Sequence, residues 1–122
     1  MKARRGAGLA LLLSLGACAS GAGSPPPADR HDDLQARAGA GFVARACAGC
    51  HAVGLQGVSR DPAAPPFRIL AARASDETLS AALARVAQHG HVQMPPIYMT
   101  DDEQAAVAAY LKRLRRGALP RA

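Results

Sequence analysis

The chain has 122 residues, with 15 Lys and Arg against 9 Asp and Glu, three Cys, two Phe, two Tyr and no Trp. That length favours one small domain, and so few aromatics leave it short of bulky material for a core of its own. Three of the basic residues, Lys2, Arg4 and Arg5, stand at the very start; the remaining twelve against nine acidic residues give a net of +3, too little for a nucleic-acid partner to be expected.

Lys2, Arg4 and Arg5 precede an apolar run from Leu9 to Leu15, interrupted only by Ser14. The run is far shorter than the roughly 20 residues that span a bilayer, so it reads as a secretory signal. It ends in Leu15-Gly16-Ala17-Cys18, which resembles the processing box of bacterial lipoproteins. That resemblance implies a signal peptide over 1–17 and a lipid on the Cys18 sulfur, and it explains an otherwise odd third cysteine. Ordinary cleavage near Ala19 is the alternative. Ala19 and Ser20, with no Asp beside the lipidated residue, imply by analogy the outer membrane rather than the inner. The protein would then sit on the periplasmic side of a bacterial membrane, or be soluble there if Cys18 carries no lipid.

Residues 18–31 are rich in Gly, Ser, Ala and Pro, with Pro25-Pro26-Pro27 in the middle, and read as a tether. His31 is expected at the surface. The folded domain is expected over 32–116, with a flexible tail at 117–122. Asp32 or Asp33 can cap a first helix that runs toward Cys47. Its apolar marks are Leu34, Ala38, Phe42 or Val43, and Ala46; Gly39 and Gly41 weaken it in isolation and point to close contact with another helix.

Cys47-Ala48-Gly49-Cys50-His51 follows. Cys-x-x-Cys-His is the attachment pattern of c-type haem. Offsets of zero, three and four share one helical face. Two thiols can therefore reach the two vinyl groups while the imidazole reaches the iron from the same side. A redox dithiol would want a βαβ setting, and strand signals are poor here; a zinc site would want a second ligand pair, for which only His89 and His91 stand downstream. A buried porphyrin would also supply the large apolar mass that the chain lacks, so the haem-free chain is expected to fold poorly.

Beyond His51, glycines and prolines from Gly54 to Pro66 preclude a continuous helix or strand. Pro66-Phe67 leads into a short helix through Ile69, Leu70 and Ala71. Ser75, with Asp76 and Glu77, opens a helix whose face carries Leu79, Leu83, Val86 and Ala87, and Gly90 stops it. Residues 91–99 form a loop containing Met94-Pro95-Pro96. Thr100 and Glu103 make a capping box for a last helix over 101–115, with Val107, Tyr110, Leu111 and Leu114 on one stripe. Lys112, Arg113, Arg115, Arg116 and Arg121 cluster at the end; they read as a solvated helix end, with steering of an acidic partner as the alternative.

In this order of elements, residues 34–116 resemble a class I cytochrome c. The resemblance implies an all-α fold of three to four short helices wrapped around one covalently bound haem c. It implies that Gly39 and Val43 on the first helix meet Tyr110 on the last. It makes His51 the proximal iron ligand and Met94, followed by proline, the sixth, with Met99, His89 and His91 as rivals. It also implies that a loop proline carbonyl, from Pro65 or Pro62, holds the His51 Nδ1 proton. Phe67, Ile69, Leu70, Leu83 and Tyr110 are expected against the porphyrin. His/Met ligation is an electron-transfer arrangement. The expected function is thus a monomeric electron carrier rather than an enzyme, serving redox protein partners. A haem with an open sixth position, as a gas sensor or weak peroxidase, is one alternative; an accessory subunit of a larger oxidoreductase is another.

Overall fold

Four helices and no strand make up residues 27–90 and 94–117, which the computed structural model of the protein describes: α1 (Pro27–Ala46), α2 (Phe67–Arg73), α3 (Asp76–His89) and α4 (Asp101–Arg115). The all-α architecture predicted from the sequence is therefore present. Residues 1–26 with Cys18, residues 91–93 with His91, and residues 118–122 with Arg121 lie outside the described residues. No helix among the described residues is long and apolar enough to cross a membrane.

α1 starts five residues before Asp32, so 27–31 belong to the helix rather than to a tether, and His31 is exposed on it. Proline suits a first helical position, where its missing N–H has no intrahelical partner to lose. Asp33 consequently lies inside the helix and caps nothing. It is buried and forms an ion pair with Arg113 of α4. The buried face of α1 also differs from the predicted one. Leu34, Ala38 and Ala46 are exposed, whereas Ala36, Gly39 and Val43 are buried and Ala40 packs on the core. Small residues line this face because α1 crosses α4 almost backbone to backbone. A Cβ on Gly39 would stand 2.5 Å from the carbonyl carbon of Ala106 and 2.9 Å from the nitrogen of Val107.

α3 and α4 start where local chemistry dictates. Ser75 accepts from the Thr78 N–H at 3.2 Å, and Thr100 and Glu103 form the reciprocal capping box on α4. Along α4, Val107, Tyr110, Leu111 and Leu114 are all buried, as the stripe predicts, and Leu79, Leu83, Val86 and Ala87 of α3 face the same core. The basic end of α4 is more engaged than a solvated end would be. Lys112 and Arg115 reach Asp76 at 2.9 and 2.5 Å, Arg115 also donates to the Ala74 carbonyl at 2.7 Å, and Arg113 is committed to Asp33. These bonds fasten the last helix to the first and to the joint between α2 and α3.

Candidate functional site

The five-residue motif sits where α1 gives out. Regular helix ends at Ala46, yet the turn continues: the Cys47 N–H donates to the Val43 carbonyl at 2.9 Å, and both Cys50 and His51 donate to the Cys47 carbonyl, at 3.2 and 3.0 Å. The helix-like offset of the two cysteines and the histidine thus survives in a terminal turn. Cys47 and Cys50 are both free thiols; Cys47 is half-buried and Cys50 exposed. Burial pushes the Cys47 thiol up to about 11.

His51 is 6 % exposed. Its Nδ1 donates to the Pro65 carbonyl at 2.8 Å, which decides between the two candidate prolines in favour of Pro65. That bond fixes the tautomer with the lone pair on Nε2, the form a metal takes up. The loop that brings Pro65 there is tied to the motif at three places. Phe67 N–H donates to the Ala52 carbonyl at 2.9 Å, Asp61 N–H to the Cys50 carbonyl at 3.1 Å, and Ala52 N–H to the Ser59 hydroxyl at 3.0 Å. The Phe67 ring then tilts against the imidazole with centroids 5.1 Å apart.

Nε2 chemistry needs space, and a cavity of about 290 Å³ lies beside the motif. Cys47 and His51 enter it from the motif, Phe42 from α1, Phe67, Leu70 and Ala74 from α2 and its end, Leu79, Ala82, Leu83 and Val86 from α3, and Val107 and Leu111 from α4. Met94, Ile97 and Met99 enter it from the loop before α4. Apart from His51 and the Cys47 thiol, every lining residue is apolar. A flat apolar macrocycle with a metal at its centre fits this wall: grease around the rim, one nitrogen ligand whose tautomer is set, a thiol beside it, and two thioethers. These residues suit haem: Cys47 could supply one thioether bond, and His51 and a cavity methionine could supply ligands to its iron. Among the described residues no three His, Cys, Asp or Glu side chains cluster as a metal-holding group, so the cysteine pair gains no such partners there for zinc.

Not every expected residue reaches the cavity. Cys50 is exposed and absent from its lining, Ile69 is 37 % exposed, and His89 is exposed on α3. Tyr110 is buried outside the lining, where its hydroxyl donates to the Val53 carbonyl at 2.8 Å and so ties α4 to the loop after the motif. Met94 and Met99 both line it, but Met99 is buried in the core cluster as well, and its backbone carbonyl accepts from Gln104 at 3.3 Å. Sequence reasoning missed three wall residues, Ala74, Ala82 and Ile97, whose apolar character carries no signal distinguishing a cofactor wall from ordinary core. It also missed that Phe42 belongs to two spaces. Besides the cavity, it lines an open surface groove of about 720 Å³ between α1 and the start of α4, rimmed by Arg37, Arg45, Asp102 and Glu103.

The chain matches no curated protein and no solved structure. A protein-family model does match it, over residues 34–111, from the first turns of α1 to near the end of α4: cytochrome C oxidase, cbb3-type, subunit III. The match spans the motif, the Pro65 loop, the methionine loop and the crossing of the first and last helices, so this chain belongs to that family and is a c-type cytochrome of the class I kind, whose domain works by haem-based electron transfer.

Proposed function

We propose that this protein is a periplasmic single-electron carrier with one haem c per chain, the iron held between His51 and Met94. The observation that carries the reading is that His51, with its tautomer set by Pro65, and Met94 line one apolar cavity. When bound, haem supplies a one-electron couple. Cys47 and Cys50 hold it to the chain, His51 orients toward it through the Pro65 bond, and the α2, α3 and α4 side chains exclude water from around it. Thioether ligation from methionine raises the potential. With both His51 and Met94 as ligands, the iron would have no free position for a substrate, and the protein would act as a carrier rather than an enzyme. Lipidation of Cys18 and a periplasmic, preferably outer-membrane, location complete the reading, with transient docking to redox proteins by a monomer.

The test is the visible spectrum of full-length protein made with a c-haem maturation system, for wild type and Met94→Ala. A wild-type ferric form with the weak far-red band of methionine on iron, lost in Met94→Ala together with a fall in potential, is the expected result. A wild-type spectrum that is high-spin and shifts with carbon monoxide would replace the carrier with an open-iron sensor or peroxidase.

The description of the matched family favours a second reading, in which the same domain serves as a haem subunit of a larger oxidase. Haem staining after native electrophoresis of detergent-solubilised membranes separates the two. A band at the size of the lone chain supports the carrier; a band only at the size of a complex supports the subunit.

A further inference from the structure

Met94 lies between α3 and α4, outside any helix, and four residues before it stands Gly90. Gly90 ends α3 with φ 65° and ψ −159°, its N–H donating to the Val86 carbonyl at 3.0 Å. This backbone region is essentially closed to residues with a side chain. The space is closed as well. A Cβ on Gly90 would lie 2.7 Å from the carbonyl carbon of Pro95 and 2.9 Å from the nitrogen of Pro96, and closer still to the Met94 carbonyl oxygen. All three are backbone atoms, so no rotamer change relieves the clash. Two consecutive prolines hold φ on the far side and stiffen the segment that would have to move. Val86, whose carbonyl takes the Gly90 N–H, itself lines the cavity beside Met94.

We propose that Gly90 is a positioning residue for the sixth iron ligand: its missing side chain lets the Met94-Pro95-Pro96 backbone seat against the end of α3 and thereby delivers the Met94 thioether into the cavity. The proposal rests on the reading of Met94 as the ligand. Gly57 supplies the control. It too has a positive φ, 98°, but a Cβ there meets nothing within 4 Å, so alanine at 57 brings backbone strain without displacing the methionine segment.

The experiment compares full-length holoprotein of wild type, Gly90→Ala, Gly57→Ala and Met94→Ala by the far-red ferric band, the midpoint potential and carbon monoxide binding to the reduced form. Gly90→Ala should lose most of the far-red band, fall in potential and gain carbon monoxide binding, while Gly57→Ala keeps all three at wild-type values. A full band in Gly90→Ala, with Met94→Ala lacking it, would overturn the role of Gly90 and leave the ligand standing. A full band in Met94→Ala would overturn the ligand and the proposal with it. Should Gly90→Ala yield no holoprotein, Pro95→Ala/Pro96→Ala carries the test. That variant leaves Gly90 in place and frees the segment resting on it, so imidazole should displace the methionine about fivefold more readily than in wild type; equal displacement would overturn the proposal.

Discussion

Gly39 of α1 and Ala106 of α4 touch through their backbones, with no room between them for a single methyl group. The contact joins segments separated by the whole cofactor-bearing part of the chain, and it carries the packing of Val43 and Val107, the two largest fully buried side chains.

Gly39→Ala should therefore cost at least about 3 kcal/mol, because the clash is with backbone and the helices must part. Gly41→Ala, two residues along the same helix, is the contrast. Its Cβ would meet only the end of the flexible Arg45 side chain, at 3.3 Å. There the gain in helix propensity should stabilise by about 0.5 kcal/mol. Denaturant unfolding of the two holoproteins reads the difference; equal midpoints would show that the crossing can relax.

Met99 and Met94 should separate cleanly. Met99→Ala removes a side chain buried in both the core and the cavity wall, and should lower stability by about 3 kcal/mol while keeping the far-red methionine band. Loss of that band in Met99→Ala, with retention in Met94→Ala, would exchange their roles.

Tyr110→Phe should cost about 1 kcal/mol, since it leaves the Val53 carbonyl without its donor. Burial raises the Tyr110 hydroxyl above its ordinary pKa of 10.0. The folded state thus holds the proton more tightly than the unfolded state does. The advantage of Tyr110 is complete below about pH 10 and is lost as pH rises through the higher folded value. Unfolding curves of wild type and Tyr110→Phe should converge on that alkaline limb; a gap independent of pH would assign the effect to packing.

Asp33→Asn should cost about 3 kcal/mol, because it strands the Arg113 guanidinium, whose side chain is only 15 % exposed. Replacing both, as Asp33→Leu/Arg113→Met, should recover most of that loss. Unfolding midpoints of the single and double variants check it, and a double variant no better than the single would mean that the pair is worth more than the burial it costs.

Much of this was legible before any coordinates, wherever a signal is local. Ser75, Thr100 and Glu103 act within one turn, so the caps of α3 and α4 follow from their neighbours alone, and the α4 stripe follows from helical period. The haem motif is likewise contained in five residues. What escaped depends on distant partners. Leu34 looked like core and Ala36 did not, because nothing nearby says that the neighbour of α1 will be the bare backbone at Ala106, which selects small residues. Asp33 has the chemistry of a cap and is spent on Arg113, 80 residues away. Pro65 and Pro62 offer identical carbonyls, and the bonds that fold the loop back, from Phe67 to Ala52, Asp61 to Cys50 and Ala52 to Ser59, bring the right one to His51.

Phe42 lines both the cavity and the groove outside it. The local dielectric that the iron would experience, and with it part of the potential, would depend in part on that side chain. Charged residues on the groove side are Arg37, Arg45, Asp102 and Glu103. A charged partner settling in the groove would therefore alter the cofactor's electrical surroundings through a shared wall residue rather than by contact.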